Sequence, residues 1–91
     1  IDMQYLMIAF SSRSLAMQAQ NIFARRGIPA TLINTPREVD GSCGLSLRTD
    51  SRYRDAALRA VETTLLKTSV KAVALIDYPR SGEKSVRFLT R

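Results

Sequence analysis

Tyr5-Leu6-Met7-Ile8-Ala9-Phe10-Ser11-Ser12-Arg13-Ser14-Leu15-Ala16-Met17-Gln18-Ala19-Gln20-Asn21-Ile22-Phe23-Ala24-Arg25-Arg26-Gly27-Ile28-Pro29 is the stretch that decides the fold. Tyr5 to Phe10 is apolar on both parities, as a strand buried on both faces must be. Ser11 or Ser12 then offers a side-chain oxygen to cap a helix. Leu15, Ala19, Ile22 and Phe23 recur at i, i+4, i+7 and i+8 and draw one apolar stripe. Gly27 supplies a left-handed end, Ile28 is placed to touch Phe23, and Pro29 blocks continuation. Arg25 and Arg26 fall in the last turn, where cations suit the helix dipole. The period switches from two to about 3.6, so a strand feeds a helix.

The same grammar runs on. Ala30-Thr31-Leu32-Ile33-Asn34 reads as a second strand and Gly44-Leu45-Ser46-Leu47-Arg48 as a half-buried third, joined by the loop Thr35–Ser42. Asp50 or Ser51 can cap a second helix expected near Ser51–Lys67, with Tyr53, Ala56, Ala57, Ala60, Val61, Thr64 and Leu65 on one stripe. Ala72-Val73-Ala74-Leu75-Ile76 is a fourth strand, Tyr78–Gly82 a turn, and Ser85–Leu89 a short fifth. The order β-α-β-β-α-β predicts an α+β, ferredoxin-like split β-α-β two-layer sandwich with an antiparallel sheet and a C-terminal fifth strand. The fourth strand is expected beside the first, then the third, then the second, with both helices on one face. Strands one and four are apolar on both sides, so the second face should also be covered, by the tail or by a homodimer partner.

Ninety-one residues make a single domain, 1–91, with 78–91 as a tail. The longest apolar run is too short to span a bilayer, and no signal-peptide pattern accompanies it. The net charge is +6, carried by eleven arginines and three lysines, which favours anionic partners. There is no histidine, which removes the commonest general base and most metal sites. One cysteine cannot close a zinc site, and no phosphate-cradling glycine loop occurs. No metal or cofactor is therefore expected. A single cysteine also fits a reducing cytoplasm.

That cysteine, Cys43, sits between Ser42 and Gly44, which shield it little, in a segment carrying Arg37 and Arg48. The inferred topology brings the start of strand three beside the end of strand one, near Ser11, Ser12 and Arg13. Free N–H groups and the positive end of helix one favour an anion there, and nearby cations make a thiol a better nucleophile. The plainer reading is a small buried residue at a strand start.

Tyr5–Ser12, Gly27-Ile28-Pro29, Thr35-Pro36-Arg37-Glu38-Val39 and Ser42-Cys43-Gly44-Leu45-Ser46-Leu47-Arg48 resemble the small bacterial selenium/sulfur carrier protein-like domain family. The resemblance is strong over the first half of the chain and one of pattern over the second helix and strand. It implies that Cys43 carries sulfur or selenium as a persulfide or selenopersulfide. The inferred topology and the residues next to the thiol give Ser11, Ser12, Arg13, Arg37, Ser42, Gly44 and Arg48 as its expected binding surroundings. The expected partners are a cysteine desulfurase-like donor and an unknown acceptor protein. The chain then acts as a carrier or accessory protein rather than a stand-alone enzyme. Asp40-Gly41 departs from the serines the family pattern leads one to expect, and it puts a negative charge near the thiol. Alternatives of other classes are a small basic module binding RNA or a regulatory small molecule, and a non-catalytic oligomerisation domain. RNA is disfavoured because no strand carries an aromatic pair for base stacking.

Overall fold

A computed structural model describes residues 3–37, 44–79 and 82–89. Strand β1 spans Met3–Phe10 and lies in the middle of a five-stranded sheet, where Leu6 to Phe10 are all buried. Its two parities serve two cores. Leu6, Ile8 and Phe10 face the helices, while Met7 and Ala9 join Ala72, Ala74 and Ile76 on the other side.

Helix α1 runs Arg13–Arg25, with Ser12 in an extended conformation accepting from the Leu15 N–H at 3.1 Å. Its buried residues are Ala16, Ala19 and Phe23, with Ile22 partly buried. The expected stripe is thus turned from Leu15 toward Ala16, because alanines let the helix settle close against the sheet. Gly27 has φ +75°, its N–H donates to the Ala24 carbonyl, and the Ile28 N–H reaches Phe23 at 2.9 Å. This pair of bonds, with buried Ile28 against Phe23, is a Schellman end.

Strand β2, Thr31–Asn34, is the edge strand among the described residues and pairs with β3, Leu45–Asp50, in the register Thr31↔Arg48 to Asn34↔Leu45. Asp50 caps a 3₁₀ turn over Ser51–Tyr53, accepting from the Arg52 N–H at 2.9 Å. Helix α2 follows at Arg54–Glu62, and a second 3₁₀ segment covers Leu65–Ser69. The single helix expected over Ser51–Lys67 is therefore broken. Thr63 and Thr64 turn their hydroxyls back onto the carbonyls of Arg59 and Ala60 at 2.9 and 3.0 Å. Thr64 then becomes extended (φ −130°, ψ 177°) and caps the next segment by accepting from Leu66. Adjacent β-branched hydroxyl residues that bond their own backbone compete with helix continuation.

Strand β4, Val70–Tyr78, pairs antiparallel with β1 from Met3↔Tyr78 to Ala9↔Ala72, and its last residues pair with β5, Ser85–Phe88. The sheet order is β2-β3-β1-β4-β5, every neighbour antiparallel. The order of the first four strands is the one the sequence leads to, and β5 widens the sheet to five. Both helices pack on one face, since Ala16, Ala19, Phe23, Ala57, Ala60 and Val61 share a cluster with Leu6, Leu47, Val73 and Leu75. The second cluster is closed within one chain: Ala74 and Ile76 are 0% exposed and Met7 is 1% exposed. β5 contributes Val86 from the sheet edge, so its pairing with β4 extends the sheet.

Candidate functional site

One end of the sheet gathers three segments. The first is the exit of β1, where the Ser11 N–H donates to the Ser69 carbonyl at 2.8 Å and ties β1 to the entry of β4. The second is the start of α1 at Ser12 and Arg13. The third is the base of the β2–β3 loop, where the Thr35 N–H reaches the Gly44 carbonyl at 3.0 Å. A Cβ placed on Gly44 would stand 3.9 Å from the Phe10 carbonyl oxygen and 3.9 Å from Thr35 Oγ1. That is ordinary contact, so Gly44 lies beside the end of β1 without being required there by lack of space.

Ser12 has a structural duty. Its hydroxyl satisfies the Leu15 N–H and lies 3.3 Å from Ser14 Oγ. Ser11 and Arg13 are exposed, and Arg37, the last described residue before the loop, is exposed as well. The first turn of α1 holds no acidic residue and opens on Arg13. A cation at the positive end of a helix runs against the usual preference for Asp or Glu there. An anion drawn to this end would remove that conflict.

Cys43 and Ser42 lie outside the described residues, and Gly44 is the described chain neighbour of Cys43. Ser11, Ser12 and Gly44 are brought to one end, with Arg13 in the first turn of α1 at that end. Arg48 is not. It pairs with Met7 and Thr31 in the body of the sheet, and its guanidinium lies 4.6 Å over the Tyr5 ring. Tyr5 is five residues upstream of Phe10 on β1, so this stacking draws the Arg48 side chain away from the loop end. Spacing along the strand places Arg48 near Cys43 in sequence, but a strand rises about 3.3 Å per residue and carries it off.

Two residues at the loop base escape the sequence reading. Thr35 Oγ1 and Ser46 Oγ lie 2.6 Å apart, with Ser46 fully buried. The bond ties the residue just after β2 to Ser46 of β3 and satisfies the buried hydroxyl, which alone would cost about 1–3 kcal/mol. Only the pairing register, with Ile33 opposite Ser46, makes this contact visible.

Among the described residues no group of three His, Cys, Asp or Glu is arranged to hold a metal ion, and no helix is long and apolar enough to cross a membrane. A cleft of about 730 Å³ opens at the other end of α1, lined by Tyr5, Asn21, Ile28, Thr31, Arg48 and others, away from the loop end.

No curated protein and no solved structure matches the chain. A family model does, over residues 5–72, from β1 through the segment of Cys43 into β4. On that match the chain belongs to the family described as "Putative Se/S carrier protein-like".

Proposed function

We propose that the domain is a sulfur or selenium carrier in which Cys43 is the carrying residue. The observation that supports it most is the family match, whose span includes the segment of the sole cysteine. The Cys43 thiolate attacks the terminal sulfur of a donor enzyme's persulfide. The donor S–S bond breaks, a new S–S bond forms at Cys43, and the donor cysteine leaves as its thiolate. The oxidation level of the sulfur pair is merely relocated, so no external oxidant or histidine base is required. Delivery repeats the exchange on an acceptor. Selenium follows the same path with a selenopersulfide. The gathering of Ser11, Ser12 and Gly44 at the N-terminal end of α1, with Arg13 in its first turn, supports an electropositive setting for the anion. In the same reading the frame is a ferredoxin-like split β-α-β sandwich extended by β5, and the setting is a reducing cytoplasm.

The test is intact-protein mass spectrometry after incubation with a cysteine desulfurase and cysteine. The wild-type chain is expected to gain the mass of one sulfur, reversibly with dithiothreitol, and Cys43→Ser to gain none. A wild-type chain that stays unloaded while its thiol alkylates freely would overturn the reading.

A further inference from the structure

We propose that the cleft between the C-terminal end of α1 and the β2–β3 edge binds a small organic anion, with Arg48 holding the anionic group. This site is separate from the carrier reading and does not rest on it. Its volume of about 730 Å³ falls within the roughly 300–1,000 Å³ usual for small-molecule sites.

Arg48 is held for such a role. Its guanidinium stacks on Tyr5 at 4.6 Å, and Tyr5 is itself braced edge-on by Tyr78 at 5.9 Å. Stacking engages the face of a guanidinium and leaves its five N–H donors in the plane, where they suit a carboxylate or phosphate. Among the described residues Arg48 has no ion pair. The carboxylate in the lining, Asp50, is already engaged: its Oδ1 accepts from the Arg52 N–H at 2.9 Å and lies 3.5 Å from Arg52 Nε. The negative end of α1 is blunted as well, because the carbonyls of Phe23 and Ala24 accept from Ile28 and Gly27. Arg25 and Arg26 add positive charge at that helix end.

The rest of the wall selects an organic body. Ala24, Ile28, Pro29 and Ala30 give the lining an apolar part, and Asn21 and Thr31 give it polar groups. An oxyanion on a compact ring or short apolar body matches this lining, whether it is a phosphate ester or a carboxylate.

The experiment is titration of the full chain with phenyl phosphate, benzoate and inorganic phosphate, followed by amide chemical shifts. At least one organic probe is expected to give saturable shifts at Tyr5, Asn21, Thr31, Arg48 and Thr49, and the tighter of the two assigns the anion class. Arg48→Gln should weaken that binding about tenfold or more. Arg48→Lys, which keeps charge but not the fork, should fall between, and it decides the matter if Arg48→Gln does not fold. Arg87→Gln, at an exposed arginine of β5 outside the cleft, should leave the binding unchanged. The proposal is overturned if neither organic probe binds, if inorganic phosphate binds equally well, if the shifts centre on Ser11–Arg13, or if folded Arg48 variants bind like wild type.

Discussion

Truncating Phe23 to alanine is expected to lower the free energy of unfolding by about 3–5 kcal/mol. Phe23 is 0% exposed and lies where three constraints meet. It belongs to the helix-side core with Leu6, Leu47 and Leu75. It is also the residue whose carbonyl accepts the Ile28 N–H at the end of α1, and its ring shares that core with Ile28. The substitution removes the transfer free energy of a ring and leaves a cavity that only partly collapses, since the neighbouring alanines at 16 and 19 cannot extend to fill it. A domain of this size has roughly 5–14 kcal/mol in total, so the loss is a large fraction. Denaturant unfolding at constant slope should show it, with the thermal midpoint falling by roughly 15–30 °C. Met17→Ala on the exposed side of the same helix should stay within about 0.5 kcal/mol and serves as the control. A Phe23→Ala loss below about 1 kcal/mol would mean that α1 is not anchored at this point.

What the sequence discloses about this fold is local. Ser12, Gly27 and Pro29 each do one thing to a backbone, and that thing needs no knowledge of distant residues. The double-sided apolarity of Tyr5–Phe10 places β1 at the centre of the sheet for the same reason. The misreadings arise where partners decide. Thr64 and Leu65 fit a helical stripe by spacing, yet two adjacent threonine hydroxyls end the helix at Glu62. Ala72–Ile76 is the apolar heart of β4, but the strand runs Val70–Tyr78 because β1 supplies partners for it as far as Met3.

The site divides the same way. Chain topology suffices to bring Gly44 beside the end of β1 and the start of α1. Which way Arg48 leans depends on Tyr5, forty-three residues away, and neither residue announces the contact. The Thr35–Ser46 bond is hidden in turn by the register between β2 and β3. The base of the β2–β3 loop is located by the order of elements, while the charges around it are set by contacts across the sheet.

A chain ending at Pro79 is expected to fold with about 2–4 kcal/mol less stability and to associate as its concentration rises. The family match stops at residue 72, within the first residues of β4, yet Val73, Ala74, Leu75 and Ile76 are buried beyond it. The folding unit must therefore include the whole of β4, and a cut at residue 72 would remove part of both cores. Cutting after Pro79 keeps β4 but turns it into an edge. It loses the β5 ladder from Ala74↔Phe88 to Asp77↔Ser85, the Leu89 N–H bond to Val73 at 2.8 Å, and the contacts of Val86 and Leu89 with the two clusters. What it exposes is an unpaired row of backbone donors and acceptors along Val73-Ala74-Leu75-Ile76. A strand edge with no charge in that run is a template for pairing with a second copy. Sedimentation or light scattering across a concentration series should show dimers of the truncated chain at concentrations where the full chain shows none beyond its own baseline. Thermal unfolding should give a lower midpoint that rises with concentration, as mass action requires. A truncated chain with the full chain's midpoint and no added association would show that β5 lends the sheet neither stability nor edge protection.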